Sequence, residues 1–207
     1  MPDAADQLDV GISIDPAMDL ELAEDFAGEL WSAGLKAEAE VRESSVYAAI
    51  EWLVPTAIVV FIAQKYIGTL LQEAAKDHYP KVKTALLRLV KRTTGPERKV
   101  RVRFVTSNPA KLRAADPVVF SICARLRTSG SVTFVFEHSI TPSVAPTAVH
   151  ELFEILIEHE LKYPNDRLTR SPAAVPGSRA PVVMRFNSAT ARWECWIYNE
   201  GRDETSK

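Results

Sequence analysis

The sequence VYAAIEWLVPTAIVVFIAQKYIGTLL, residues 46–71, is the most apolar stretch of the chain and decides how the rest is interpreted. Its apolar positions recur at steps of three and four, which indicates a helix. Pro55 predicts either a kink or the first turn of that helix. Because the helix is apolar on nearly every side, it must be covered. We predict that protein covers it. The residues of this helix predicted to contact a partner are Trp52, Phe61 and Ile62.

The length of the apolar run separates burial in protein from insertion in lipid. A transmembrane helix needs about 20 predominantly apolar residues. The uninterrupted run here is twelve residues, from Trp52 to Ala63. We therefore favour a buried helix. Membrane docking or insertion through residues 46–71 is the alternative.

The composition is that of an ordinary globular protein. The chain has 207 residues, of which 46% are hydrophobic and 25% charged. It has two cysteines, Cys123 and Cys195, and its first residues, MPDAADQLDV, contain no apolar leader. These features predict a reducing, cytoplasmic setting, with membrane association as the alternative.

Charge is strongly segregated along the chain. Residues 1–80 contain fifteen acidic and four basic residues, a balance of −11. Residues 81–127 contain thirteen basic and two acidic residues, a balance of +11. Segments of opposite sign attract each other or bind partners of opposite sign.

Residues 10–42 predict a βαβ unit. Alternating apolar residues indicate strands over 10–14 and 35–42. Between the strands, Asp15 and Pro16 predict the start of a helix, and Gly34 predicts its end. The predicted apolar side of the helix comprises Met18, Leu20, Leu22, Phe26, Leu30 and Trp31. The second strand should point Leu35, Ala37, Ala39 and Val41 inward and Lys36, Glu38, Glu40 and Arg42 outward. Such a unit predicts parallel strands with a right-handed crossover.

The rest of the chain predicts a helix ending near residue 93 and then an antiparallel meander with one buried and one wet face. The meander strands are 99–105, 118–127 and 132–136, followed by a helix over 146–162 and a hairpin of 182–187 with 192–198. The predicted class is α+β: a βαβ unit, a long apolar helix, then a mainly antiparallel sheet with a covering helix and a hairpin. Its parts, expected to form one continuous domain, are 1–45, 46–93 and 94–207.

Two surface features stand out in the second half. The exposed face of the meander is predicted to be basic, and its partner-binding residues are Lys99, Arg101, Arg103, Arg125 and Arg127. Like charges on neighbouring strands destabilise a sheet, so something acidic should compensate them. Residues 165–181, rich in proline, serine and arginine, predict a mobile or functional loop.

The sequence contains few motifs that are typical of catalytic, cofactor-binding or metal-binding sites. The sequence contains no phosphate-binding glycine loop, no CxxC pair and no nucleophile elbow. His150, Glu154 and Glu158 share one helical face and could in principle hold a metal, but the same spacing describes a solvated acidic face. Cys123 lies among basic neighbours without an indicated base, so we interpret it as a strand residue. We predict no catalytic, cofactor-binding or metal-binding residue.

The sequence thus favours a non-enzymatic protein-interaction or assembly module that binds another protein or a second copy of itself. It is predicted to bind this partner through the apolar helix and the oppositely charged surfaces. Three alternatives are membrane docking through residues 46–71, nucleic-acid binding through the basic meander 81–127, and an enzyme whose site is assembled from distant residues. No aromatic residue interleaves the basic positions, as stacking on bases would require, which disfavours nucleic acid.

Overall fold

The computed structural model describes residues 8–16, 18–42, 57–71, 78–94, 118–127, 130–137, 140–170 and 182–195. The helices and strands in chain order are β1 (Val10–Ile14), α1 (Leu20–Ser32), β2 (Ala37–Val41), β3 (Ile58–Ile62), α2 (Gln64–Thr69), α3 (His78–Thr93), β4 (Val118–Arg125), β5 (Ser131–Glu137), α4 (Ala145–Lys162), β6 (Val182–Asn187) and β7 (Arg192–Cys195).

The strands form one mixed sheet of seven, in the order β2-β1-β3-β4-β5-β6-β7. Parallel pairs (β1–β2, β3–β4, β5–β6) alternate with antiparallel pairs (β1–β3, β4–β5, β6–β7). A stretch containing at least one helix connects the strands of each parallel pair, as parallel pairing requires. The predicted α+β class is confirmed. The sheet draws strands from all three predicted segments of the chain.

The predicted βαβ unit is confirmed, with β1 parallel to β2. The helix begins later than predicted: its N-cap is Asp19, whose carboxylate accepts a hydrogen bond of 3.1 Å from the Glu21 N–H. At the other end Gly34 has φ +88°. Its N–H donates to Trp31 O and the Leu35 N–H donates to Leu30 O, which is a Schellman motif. Gly34 is therefore the predicted C′ glycine.

The helix predicted over residues 46–71 is wrong for residues 58–62, which form β3 in the middle of the sheet. Ile58, Val59, Val60 and Ile62 are all buried, so β3 is covered on both faces at these positions, and β1 and β4 pair with it on either side. A strand buried on both faces has a continuous apolar sequence, and the β-branched run IVV suits it. A short apolar run does not distinguish such a strand from a helix. Pro55, with its predicted kink, and Trp52 lie outside the described residues.

Three helices cover one face of the sheet. Helix α3 contacts both α1 and α4, and α1 contacts β1 and β2. The main core lies between these helices and the sheet face formed by Ile12, Val60, Ile122, Phe134 and equivalent residues. Two ion pairs join α1 to α3: Arg88 to Glu29 at 2.7 Å and Arg92 to Asp25 at 2.9 Å. Part of the charge segregation is thus compensated within the chain.

The opposite face of the sheet is buried at its centre. Ser13, Val59, Ser121 and Val135 alternate with core residues along their strands, yet all four are buried. The prediction of one buried and one wet face is therefore wrong for β4 and β5 over these residues. The continuous apolar sequence of β5 is typical of a strand buried on both faces.

The first part of the predicted 165–181 loop is a packed turn against the end of α4. Asp166 and Leu168 are 1% and 2% exposed. The Asp166 carboxylate interacts with His159 Nδ1 at 3.0 Å and accepts from Leu168 N at 2.9 Å, Thr169 N at 3.1 Å and Thr169 Oγ1 at 2.7 Å. Residues 165–170 thus form no helix or strand, as the loop prediction expects, but they are packed and hydrogen-bonded; residues 171–181 lie outside the described residues.

Candidate functional site

Strand β2 is an edge of the described sheet, and its surface is unusually open. Ala37 is buried, but Glu38, Glu40 and Val41 are exposed. Val41 is 45% exposed although it lies on the face that carries the core. Edge strands present unpaired backbone groups with which another strand can pair.

The hydrogen bonds at its two ends show which backbone groups of β2 face outward. Lys36 O accepts from the β1 side, and Arg42 N donates to Ile14 O of β1. Because backbone direction alternates along a strand, the N–H and C=O groups of Ala37, Ala39 and Val41 point away from β1. The outward carbonyl of Ala37 accepts a hydrogen bond from the indole Nε1 of Trp31. Ala39 and Val41 therefore provide the outward groups that remain for an incoming strand.

Trp31 is the large apolar side chain beside this edge. It is 59% exposed, in contrast to the sequence prediction that it belongs to the buried side of α1. The buried stripe of α1 runs through Leu22, Phe26 and Leu30, and Trp31 is rotated by one residue from it. We call β2 together with Trp31 the β2 edge.

The acidic charge of the β2 edge differs from that of α1. The α1 carboxylates of Asp25 and Glu29 are paired with arginines of α3. Glu38 and Glu40 form no such pair among the described residues. Glu40 lies close enough to Arg42 to influence it: burial lowers the pKa of Arg42, while Asp15 and Glu40 raise it.

Those predicted partner-binding residues that the structure describes do not lie at the β2 edge. Arg125 and Arg127 are exposed at the end of β4, three strands away from β2 in the sheet. Ile62 is buried in the core and Phe61 is half-buried on the opposite face, where it pairs with Gly11 of β1. The remaining predicted partner-binding residues lie outside the described residues: Lys99, Arg101, Arg103 and Trp52.

The acidic face of α4 is built into a structural network. Arg167 bridges Glu151 and Glu158, and Glu151 also accepts a hydrogen bond of 3.1 Å from the Trp193 N–H. His150 Nδ1 lies 3.3 Å from Tyr79 Oη. Across the described ranges, no three groups of metal-ligand type lie together. The carboxylates at positions 151 and 158 thus hold the turn after α4 and strand β7 in place.

Three other titratable groups have pKa values moved mainly by burial. Burial raises the pKa of the Cys123 thiol, and nearby hydroxyls and Arg125 offset only part of this effect. Burial raises the pKa of Tyr66 above its usual range, with Asp9 and Tyr79 adding to the shift. Burial also raises the pKa of Tyr79. These groups stay protonated at neutral pH, so Cys123 has the opposite of the pKa shift that an activated thiol needs.

No protein-family model, curated protein or solved structure matches this chain. For the part of the chain that is described, no helix is both long and apolar enough to cross a membrane.

Proposed function

We propose that the chain is a non-enzymatic protein-interaction module that binds a partner by adding the partner's strand to the β2 edge. The observation that carries this proposal is the pair of outward-facing backbone positions, Ala39 and Val41, beside the exposed Trp31. Strand addition uses main-chain hydrogen bonds for affinity and alternate side chains for specificity.

The exposed side chains add an apolar contribution to these hydrogen bonds. Trp31 and Val41 flank the edge at 59% and 45% exposure. Aromatic side chains such as tryptophan dominate the energy of many protein interfaces because they bury a large area with few rotatable bonds. A strand laid along β2 would cover both side chains, and the indole would also keep its bond to the Ala37 carbonyl.

Two observations favour a protein partner over the alternatives. Arg88 and Arg92, within the basic segment proposed for nucleic acid, are already paired with carboxylates of α1. Ile58 and Ile62, within the segment proposed for a membrane, lie in the core. We extend the proposal to a reducing compartment because Cys123 and Cys195 form no disulfide.

The test is a screen of extended peptides against the full chain, read by hydrogen exchange and by Trp31 fluorescence. We expect bound peptides to slow exchange of the Ala39 and Val41 amides. Ala39→Pro removes an outward N–H at an edge position, where proline is tolerated, and should abolish this binding without unfolding the protein. Ala39→Val keeps the N–H and is the matched control.

Two results would count against the proposal. One is binding that survives Ala39→Pro in a protein whose circular dichroism is unchanged. The other is binding that protects amides elsewhere in the sheet while those of β2 exchange as before.

A further inference from the structure

The face of β2 turned away from the helices has a symmetrical charge pattern. Lys36, Glu38, Glu40 and Arg42 lie two residues apart, which gives the order positive, negative, negative, positive. Opposite the two glutamates on β1 are Gly11 and Ser13, so no cation of β1 faces them. Any strand added to the outer side of β2 therefore places its own side chains directly beside two exposed carboxylates.

From this pattern we infer that the partner strand carries lysine or arginine at two positions separated by one residue. This inference rests on the proposed function. On its other face the same strand carries apolar side chains, which lie beside Trp31 and Val41. The flanking cation Arg42 has Asp15 and Glu40 close enough to influence its pKa, and the two glutamates occupy the central positions of the pattern.

The same pattern disfavours a second copy of β2 as the occupant. Antiparallel pairing centred on Ala39 would place Glu38 against Glu40 of the other copy and Lys36 against Arg42. Parallel pairing in register would place each charge against itself. Like charges opposite each other destabilise a strand pair, so the pattern disfavours both of these pairings. The edge remains open to a strand whose central charges are positive.

The predicted preference for a partner strand with two basic residues, which we call the charge rule, should have a measurable effect on affinity. Each cross-strand charge pair is worth a fraction of a kilocalorie to about 1 kcal/mol, in either sign. Two pairs changed from attraction to repulsion therefore change the binding free energy by about four times this value, and about 0.4 kcal/mol per pair already corresponds to an affinity ratio above tenfold. Salt should reduce the ratio because both glutamates are exposed.

The experiment compares two capped, extended peptides that differ only in charge: two lysines alternating with valines, or two glutamates in the same places. Binding to the full chain is measured by Trp31 fluorescence, with Trp31→Phe as the spectroscopic control. We expect the lysine peptide to bind at least tenfold more tightly at low salt. The Glu38→Lys/Glu40→Lys variant should reverse this preference, and Glu38→Gln/Glu40→Gln should remove it.

The outcomes separate the two proposals. If both peptides bind equally to the parent and the reversed variant, but Ala39→Pro abolishes binding, strand addition stands and the charge rule is overturned. If neither peptide binds, or if Ala39→Pro has no effect, both proposals are overturned. A dimer of the parent protein that Ala39→Pro dissociates would show that a second copy occupies the edge, which also overturns the charge rule.

Discussion

Replacing Asp166 by alanine should remove a large part of the stability of this protein. The carboxylate is 1% exposed and interacts with His159 Nδ1, two backbone N–H groups and the Thr169 hydroxyl. Alanine would leave the Leu168 and Thr169 N–H groups and the imidazole without this acceptor. Each orphaned buried polar group costs about 1–3 kcal/mol, and breaking a buried pair costs about 3–5 kcal/mol. We expect a loss of about 3–5 kcal/mol at pH 7.

The pH dependence of this loss follows from the pKa of Asp166. Burial by itself raises that pKa, but hydrogen bonds from Thr169 and His159 outweigh burial and lower it below its usual value. The ionised carboxylate therefore stabilises the fold above its unfolded-state pKa, about 3.9, and this contribution is lost as the pH falls through the folded-state value. The stability difference between parent and variant should be largest near neutral pH and shrink in acid.

Urea denaturation followed by circular dichroism measures the global loss, and hydrogen exchange of the Leu168 and Thr169 amides measures local opening of the turn. Asp166→Asn is the matched control, because its side-chain carbonyl can still accept from the backbone N–H groups, so it should cost less than alanine. A loss below about 1 kcal/mol for Asp166→Ala, with amide exchange unchanged, would refute the reasoning, since that is the range of a single exposed hydrogen bond.

Three further perturbations test the rest of the structure. In α1, Gly28→Ala meets no atom within 4 Å and should stabilise the protein by about 0.5–1 kcal/mol in thermal denaturation, whereas Gly34→Ala, at φ +88° and 3.3 Å from His78, should destabilise it by at least as much. Ile62→Asp buries an unpaired charge and should abolish folding by circular dichroism, while Ile62→Val should cost about 0.5–1.5 kcal/mol; a folded Asp variant would contradict the placement of β3. Reversing Arg88 to Glu should cost at most about 1 kcal/mol at low salt, and adding Glu29→Arg should restore it; no recovery in the double variant would mean that the pair is not energetically coupled.

The helices and strands of this fold could be predicted from the sequence where one face of the element is buried and the other is exposed to solvent. The alternation in β1 and β2 and the glycine at position 34 locate the βαβ unit. The same reasoning fails for residues 58–62, because both faces of this strand are buried and its sequence therefore does not alternate. Burial of Ser13 and Ser121 has no local signature either, since it depends on what packs on the second face of the sheet.

The β2 edge could be predicted only in part. The outward direction of Glu38 and Glu40 follows from their alternation with Ala37, Ala39 and Val41. That β2 lies at an edge follows from strand order, which is set by long-range pairing and leaves no trace in a single strand. Trp31 is apolar and next to Leu30, but a step of one residue turns a helix by about 100°, which takes Trp31 off the buried side of α1.

The pairing of α1 with α3 sets an order of events for a chain that grows from its N-terminus. Asp25 and Glu29 are synthesised about sixty residues before Arg92 and Arg88, which at typical elongation rates is a delay of roughly 3–12 s. During that interval the carboxylates of Asp25 and Glu29 in the nascent βαβ unit lack the arginines that pair with them. Its net negative charge opposes association with other acidic chains, and the arrival of α3 neutralises two of its carboxylates as the helix packs against α1.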